Sequence, residues 1–529
     1  MVSIANLLIL VLATTMALVI QRGWLHRIAV NYIALAMGIL IAVIPWLNHH
    51  VTAFNETVFM GGLVAPLLFF DGKEMRLGEV RQQVKPIVGM TVVMALLALL
   101  ATGFTLRGVF GFSLPLAFLL AAISIPTDAT ATGAVAQGVQ LPPRAVLNLK
   151  LESLFNDASG LILMSMALEW FHQGEINYQG TAWSFVYAAV GGVIFGWLVA
   201  WGLLVVRHHL HNADTNFTNS LANNGTPVKV LLLLTPFLVY FGAEHFHLSG
   251  IIAVVVAGLV GNTEDERNRL VNPALAYDNQ RLIASLQELM NGSVFVILGV
   301  VLVRTIMNDR ITYGSWTWIW VGIVLYLVNL VIRLGYAKWG LHQTMSEAWI
   351  FAFGGVHGTV TLALVMMTER AQLPAQWFNL LIMAESVLIG LSLIVPTLVF
   401  KWLLPADVSE TEQTQEVNRL RQGMVNHARQ RLNEIYVPLA MRHRLEEDLT
   451  AQLGATSMKN LAHQWHETSH ATELSQPEQI MLGDLYNFIF NEELQYLEMV
   501  EYQEVKYRQV VKILSQEVML AAVVVAQEG

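Results

Sequence analysis

The sequence predicts an all-α polytopic membrane protein with a helical tail. Of its 529 residues, 55% are hydrophobic and only 13% are charged, proportions that soluble globular proteins do not have. Apolar runs of about 20 residues, the length of a helix that crosses the hydrocarbon core, recur through residues 1–404. Because backbone polar groups in hydrocarbon must be satisfied within the segment, we expect these runs to be helices.

Charge divides the chain into two predicted domains. Residues 405–529 hold 10 Lys and Arg against 19 Asp and Glu, which accounts for the whole net charge of −9. We therefore expect a transmembrane domain at 1–404 and an acidic, mainly helical cytoplasmic domain at 405–529. Within it, Ser475, Pro477 and Glu478 have the pattern of a helix start with a capping box. Three roles stay open for this tail: regulation, strengthening of a dimer, or a solvated appendage.

Several chemistries are excluded by composition. The chain has no cysteine, which excludes disulfides, thiolate metal sites and thiol catalysis. It has neither a dinucleotide-binding nor a Walker phosphate loop. We therefore expect no enzymatic activity, no resident cofactor and no nucleic-acid partner.

Thirteen membrane spans are predicted. Their approximate bounds are 3–20, 28–47, 57–70, 86–107, 114–138, 145–169, 181–206, 228–246, 249–262, 282–306, 313–337, 346–367 and 376–403. Fifteen Lys and Arg residues fall in one set of alternate loops and flanks and four in the other, and the cytoplasmic side is the one that attracts positive charge. With an odd number of spans, the N-terminus lies outside the cell membrane and the tail lies in the cytoplasm.

The fifth predicted span carries a small and polar run around Pro126. Pro126 has no N–H, so the carbonyl of Ala122 loses its helical partner and the chain is expected to unwind. Freed carbonyls, the Thr127 hydroxyl and the adjacent Asp128 would offer hard oxygen ligands to a small cation. A simple proline kink, repaired by Ser and Thr side chains, is the alternative.

The sixth predicted span contains two carboxylates, Glu152 and Asp157, at a depth where ionisable groups are costly and by default functional. Ser153 and Asp157 are four residues apart and share a helix face, and Glu152 and Asn156 share the neighbouring one. This spacing predicts that Asp157 and Ser153, with the unwound fifth span, hold a monovalent cation. Glu152 then needs its own counter-charge, for which Arg333 in the eleventh span is the candidate. An arginine that extends to the interface is the alternative for Arg333.

A second interrupted helix is predicted in the twelfth span, where Gly354, Gly355 and Gly358 surround His357. Glu385 follows in the thirteenth span much as Glu152 follows the break in the fifth. Paired broken helices 5 and 12 predict inverted six-helix repeats, spans 1–6 and 8–13, with a central transport site between them. Close helix packing would explain the glycines equally well.

Over nearly all of residues 1–404 the chain resembles the sodium/proton exchangers of the cation:proton antiporter-1 family. The resemblance rests on Leu67-Leu68-Phe69-Phe70-Asp71-Gly72, Pro126-Thr127-Asp128, Glu152-Ser153-Leu154-Phe155-Asn156-Asp157, His247-Leu248-Ser249-Gly250-Ile251, Arg333 and Gly354-Gly355. It implies a secondary active antiporter that exchanges sodium, with lithium and potassium as alternatives, for protons across a lipid bilayer. We also expect a homodimer.

The resemblance implies a role for each matching residue. Asp157 carries the ion or the proton and Asn156 orients its carboxylate, while Ser153 and Thr127 contribute further metal ligands. Asp71 takes part directly or through water, and Glu152 pairs with Arg333. The family usually has arginine where this chain has His357. Histidine can lose its charge near neutral pH, so a pH response at His357 is one possibility and a neutral, hydrogen-bonded packing role is the other.

A mechanism follows from one exchangeable carboxylate. Asp157 can bind a proton or a metal cation but gains little from both, so exchange by alternating access is obligatory. Asn156 stands where some relatives have a second aspartate, which predicts one cation for one proton and no net charge movement. A cation channel or a sodium-coupled symporter on a similar broken-helix fold is the alternative.

Overall fold

The computed structural model describes residues 4–25, 28–51, 56–174, 178–214, 225–271, 273–307, 316–370, 373–405, 410–454, 476–503 and 508–527. These residues form helices and contain no β-strand. They divide into two compact units. The first contains 1–203, 234–262 and 285–407, and the second contains 204–233, 263–284 and 408–529. The second unit therefore adds the ends of four long helices to the predicted tail domain.

We number the helices in chain order. They are α1 Ile4–Gly23, α2 Val30–Val43, α3 Pro45–His50, α4 56–73, α5 Leu77–Gln82, α6 Val84–Phe110, α7 Leu114–Ile123, α8 Ala129–Val135, α9 Pro143–Gln173, α10 Tyr178–Asp214, α11 Gly225–His245, α12 Gly250–Val271, α13 Pro273–Met307, α14 Thr317–Gly340, α15 Met345–Phe353, α16 Thr359–Arg370, α17 Ala375–Leu403, α18 Glu410–Asn433, α19 Leu439–Gly454, α20 Gln476–Gln503 and α21 Arg508–Gln527. Helices α4 and α6 each contain a π-helical turn, and α14 ends in one.

Within the described residues, six helices are long and apolar enough to cross a membrane. They are Val84–Phe110, Val186–Val206, Thr226–His245, Tyr277–Arg304, Thr317–Gly340 and Ala375–Leu403. Four shorter apolar segments lie at Leu8–Gly23, Val30–Val43, Leu114–Ile123 and Gly250–Thr263. One of the shorter segments, α7, is short because its helix ends at Ile123, where the chain unwinds.

Two helices of the first unit are interrupted. Helix α7 ends at Ile123 and α8 begins at Ala129, with Pro126 in the extended segment between them. Helix α15 ends at Phe353 and α16 begins at Thr359. The ring of Pro126 lies directly against Gly160 of α9, where any side chain would overlap it. The first break is therefore fitted closely to the helix that carries the two candidate carboxylates.

The interior of the first unit is built by five helices around these breaks. Helix α7 packs between α6 and α9, and α14 packs along α17 and against α6. Outside this core, α10 and α11 expose large apolar side chains such as Trp197, Trp201 and Phe241. An apolar outer surface is the pattern that contact with lipid requires, because no water is present there to favour polar groups.

The second unit has its own hydrophobic core. It is formed by α18, α19, α20 and α21, whose buried side chains include Leu420, Leu445, Phe490 and Leu514. Pro438 lies in the segment between α18 and α19, directly before α19 begins at Leu439. The predicted helix start at Ser475 lies outside the described residues, and the described helix begins at Gln476.

Candidate functional site

The two interrupted helices meet at their breaks. The backbone N–H of Asp128 donates to the carbonyl of Val356 at 2.7 Å, and the Thr132 hydroxyl donates to the carbonyl of Gly354 at 2.7 Å. Because an unwound segment has lost its helical partners, these bonds satisfy backbone groups that would otherwise be unpaired inside the protein. Each break is thus held by the other.

His357, in the second break, forms a hydrogen bond to the first break. Its Nδ1 lies 2.8 Å from the carbonyl oxygen of Pro126, and since a carbonyl can only accept, Nδ1 carries the hydrogen. The Thr361 hydroxyl donates to the same oxygen at 3.2 Å, and the N–H of His357 donates to Ser392 Oγ at 3.0 Å. His357 is 2% exposed. These are the contacts of the packing role that the sequence left open.

Glu152 and Arg333 form a bidentate ion pair. The guanidinium donates through Nη1 to Oε1 and through Nη2, at 2.8 Å, to Oε2. Both residues are buried, and Nη2 also donates to the carbonyl of Phe351 at 3.0 Å. Gly355 lies against the guanidinium, where a side chain would overlap it. The arginine therefore joins α14, α9 and α15 and does not extend toward an interface.

Thr127, Ser153 and Asn156 belong to the network around the first break. Asn156 donates to Thr127 Oγ1 at 2.9 Å, and Thr127 Oγ1 lies 3.5 Å from Glu152 Oε1. Ser153 Oγ donates to the carbonyl of Thr127 at 2.8 Å and accepts from the N–H of Ala129 at 3.0 Å. The carbonyls of Pro126 and Thr127, in the unwound segment, thus already accept hydrogen bonds in this conformation.

Asp157 has very different surroundings. It is 1% exposed, and its Oδ1 has no hydrogen-bond partner among the described residues. Among the described residues, its electrostatic interactions are with three other carboxylates, first Asp128, then Asp71 and Glu152. Because Glu152 is already paired with Arg333, the cluster of Asp157, Asp128 and Asp71 concentrates negative charge. Such a cluster attracts a cation.

Asp128 has a structural task as well. Its Oδ1 accepts from the N–H groups of Thr130 at 2.9 Å and Ala131 at 3.0 Å, so it is the N-cap of α8. Its other carboxylate oxygen lies beside Gly358, where a side chain would overlap it. The sequence predicts Asp128 in the ion site only because it follows Thr127. In the structure, the cap bonds fix its carboxylate where the two breaks meet.

Three polar residues of the site were not predicted from the sequence. Asn329 donates to Ser124 Oγ at 3.1 Å, Ser392 accepts from His357, and Gln287 donates to Asp71 Oδ1 at 3.0 Å. Asn329 precedes Arg333 by one helical turn in an apolar helix, which is a signal that spacing could have revealed. Gln287 has no such signal, because its partner is 216 residues away in the sequence.

A cavity of about 20 Å³ opens beside the network. Its polar lining comes from Thr127, Glu152, Asn156, Asn329, Arg333 and His357, and its apolar lining from residues including Met90 and Met94. This volume holds one particle of the size of a water molecule.

Glu385 of α17 is a further buried carboxylate. It is 1% exposed, and neither of its oxygens has a hydrogen-bond partner among the described residues. In the predicted repeats, Glu385 corresponds to Glu152. Glu152 is paired with Arg333, whereas Glu385 shows no ion pair in the described part of the chain.

Residues 7–406 match the family model described as "Sodium/hydrogen exchanger, transmembrane". The chain is 28% identical over 368 residues to the "Sodium, potassium, lithium and rubidium/H(+) antiporter" of Bacillus pumilus, covering 66% of this chain and 54% of that protein. It is 30% identical over 382 residues to the protein of that name from Bacillus subtilis, covering 68% and 54%. The matched region thus spans about half the length of these relatives.

The fold is similar to that of a solved transporter. The sodium proton antiporter MjNhaP1 from Methanocaldococcus jannaschii superposes with a TM-score of 0.56 at 19% identity, over 74% of this chain and 96% of that one. At this identity the likeness concerns the fold. The match of the family model to residues 7–406 covers most of the chain, and the protein therefore belongs to the sodium/hydrogen exchanger family of multi-pass membrane proteins.

Proposed function

We propose that the protein is a secondary active antiporter that exchanges a monovalent cation for protons by alternating access. Sodium is the first candidate for the cation. Lithium, potassium and rubidium follow, because both Bacillus relatives have all four cations in their names. Asp157 is the group for which the cation and the proton compete, with Asn156, Ser153, Thr127, Asp128 and Asp71 around it.

The contrast between the two carboxylates of α9 carries this proposal. The charge of Glu152 is cancelled by Arg333, whereas the electrostatic partners of Asp157 in the described part of the chain are carboxylates. Charge buried without compensation is costly, and either a proton or a metal cation removes that cost. Because one carboxylate gains little from binding both, each ion displaces the other.

Thr127 and Ser153 remain metal ligands in the proposal, and in this conformation their hydroxyls bond to groups around the break. Ser153 Oγ now donates to a carbonyl and Thr127 Oγ1 accepts from Asn156. We infer that this conformation is one in which the hydroxyls hold the break together, and that cation binding redirects them toward Asp157.

The stoichiometry, topology and assembly belong to the same proposal. Asn156 supplies an amide where a second carboxylate would carry another charge, so one cation exchanges for one proton. Thirteen spans, inverted six-helix repeats broken in spans 5 and 12, an external N-terminus and a cytoplasmic acidic domain at 405–529 complete the topology. The functional form is a homodimer in the cell membrane.

Cation-induced pH change in everted membrane vesicles tests the proposal. We expect sodium to discharge an imposed pH gradient with the wild-type protein and to have no effect with Asp157→Asn at equal expression. An unchanged response in Asp157→Asn would contradict it. Conductance far above carrier turnover would instead indicate a channel, and dependence on an added organic substrate would indicate a symporter.

A further inference from the structure

Asp71, like Asp128, is a partly exposed member of the carboxylate cluster. It lies on α4 and is partly exposed, whereas Asp157 is almost completely buried. It interacts electrostatically with Asp128 and with Asp157. A cation that approaches from the side of α4 therefore reaches Asp71 before it reaches Asp157.

The backbone at Asp71 is held in place by a close helix contact. Gly72 lies against the carbonyl of Val255 and the backbone of Gly258, both on α12, so that a side chain on either glycine would overlap the other helix. Close approach of this kind is what small residues permit in membrane helices. The position of the Asp71 Cα is thus fixed by packing and not by a charge.

The side chain of Asp71 is held by a neutral group. Gln287 of α13 donates from Nε2 to Asp71 Oδ1 at 3.0 Å. An amide donor orients a carboxylate but leaves its negative charge in place, whereas an ammonium or guanidinium would cancel the charge that a cation needs. Glu152, held by Arg333, shows the opposite arrangement in the same unit.

A basic group that acts electrostatically on Asp71 forms its own ion pair. Lys150 contributes to the electrostatics of Asp71, but its Nζ lies 3.5 Å from Glu74 Oε2. This pair is exposed, one turn beyond Asp71. The hydrogen bond to Asp71 is therefore made by an amide even though a lysine lies nearby.

Helix α13 also contacts α1 just beyond Gln287. Glu288 pairs with Arg22 at 2.6 Å, and Ser293 lies at hydrogen-bond distance, 3.1 Å, from Thr14. Both contacts are to α1. Neither contact involves Gln287, and the Arg22–Glu288 pair is largely exposed, so its loss is expected to leave the bond from Gln287 to Asp71 in place.

We propose that Gln287 is a positioning residue that sets the affinity for the transported cation, because it orients Asp71 as the first ligand without neutralising it. This proposal rests on the proposed function in one respect, namely that the cation occupies the cluster of Asp71, Asp128 and Asp157. It assigns to Gln287 no contact with the ion itself.

The test compares Gln287→Leu and Gln287→Lys with the matched control Glu288→Gln in the full-length protein. We expect Gln287→Leu to raise the KM for sodium about tenfold, the value of one hydrogen bond to a charged group, with little change in kcat. Gln287→Lys should raise it further, because the ammonium would neutralise Asp71. Glu288→Gln, which loses only the pair with Arg22, should leave KM unchanged.

A double-mutant cycle ties the effect to Asp71. In the Asp71→Asn background, Gln287→Leu should add nothing further to KM, because the two residues act as one unit. An equal rise in both backgrounds would overturn the proposal, as would a KM for Gln287→Leu like that of wild type. A rise in KM with Glu288→Gln as large as with Gln287→Leu would also contradict it.

Sodium-dependent thermal stabilisation of the purified protein separates this proposal from the proposed function. If the wild type is stabilised by sodium but exchanges no protons, the antiport assignment fails while Gln287 can still be judged by its effect on stabilisation. If Gln287→Leu is stabilised at the same sodium concentration as wild type, the positioning role fails even where exchange is intact.

Discussion

Glu152 and Asp157 lie five residues apart on one helix and have opposite electrostatic surroundings. Arg333 donates to both oxygens of Glu152, whereas Asp157 has one oxygen without a hydrogen-bond partner in the described part of the chain. Five residues turn the helix by about 500°, which places the two side chains on different faces. We therefore propose that one carboxylate serves the fold and that the other binds the ion.

Removing the charge of Glu152 should destabilise the protein. Glu152→Gln leaves the buried guanidinium of Arg333 without a compensating charge, and breaking a buried pair in this way costs about 3–5 kcal/mol. We expect a large fall in the thermal unfolding midpoint in detergent. Asp157→Asn, by contrast, should keep the midpoint close to that of wild type while it abolishes exchange. Equal losses of stability in the two variants would refute the division of roles.

Exchange should move no net charge. With one cation traded for one proton at Asp157, the membrane potential, worth about 2.3 kcal/mol per charge per 100 mV, neither drives nor opposes the cycle. We expect no transport current from proteoliposomes on a solid support when sodium is added, together with a normal pH change in the same preparation. A clear current would require more than one proton per cation.

His357→Gln distinguishes the two roles of the imidazole. A glutamine amide can replace Nδ1–H as the donor to the Pro126 carbonyl, but it cannot change its charge between pH 6 and 8. Given the bond from Nδ1 to Pro126, we expect exchange to persist with an unaltered pH–activity profile. A shifted or flattened profile would assign a pH response to His357. The variant His357→Leu, which lacks the donor, should reduce exchange and serves as the packing control.

The second unit should lose stability as the pH rises. Burial raises the pKa of Glu493 from its ordinary value of 4.5 to about 8. The folded state therefore holds a proton that the unfolded chain has released, so the free energy of unfolding falls between these two values and is level above them. Hydrogen exchange of α20 in the full-length protein, corrected for intrinsic rates, measures this fall.

Replacement of one carboxylate isolates the contribution of Glu493 to this pH dependence. Glu493→Gln should remove most of the slope, because an amide does not titrate. Glu498→Gln, on the same helix at a site that is not fully buried, is the control and should keep the slope. Persistence of the full slope in Glu493→Gln would assign it to other groups.

The sequence alone determined the broad class of the protein and much of its site. Long apolar runs require membrane helices because hydrocarbon offers no partners to the backbone, and the residues around Pro126, Glu152 and Asp157 stand out because polar groups at that depth are expensive. These are local or compositional effects, and they can be read without knowing which helices touch. The prediction of a counter-charge for Glu152 also needed only the scarcity of deep basic residues.

Only the tertiary structure decided which polar groups meet. The bonds from His357 to Pro126, from Asn329 to Ser124 and from Gln287 to Asp71 join residues more than 200 positions apart, and no periodicity in the chain encodes them. The same packing showed that the carbonyls of Pro126 and Thr127 in the unwound segment are already bonded, which composition could not reveal. Hydrogen bonds are short-ranged and directional, so their partners are fixed by how the helices pack together and not by which residues each helix contains.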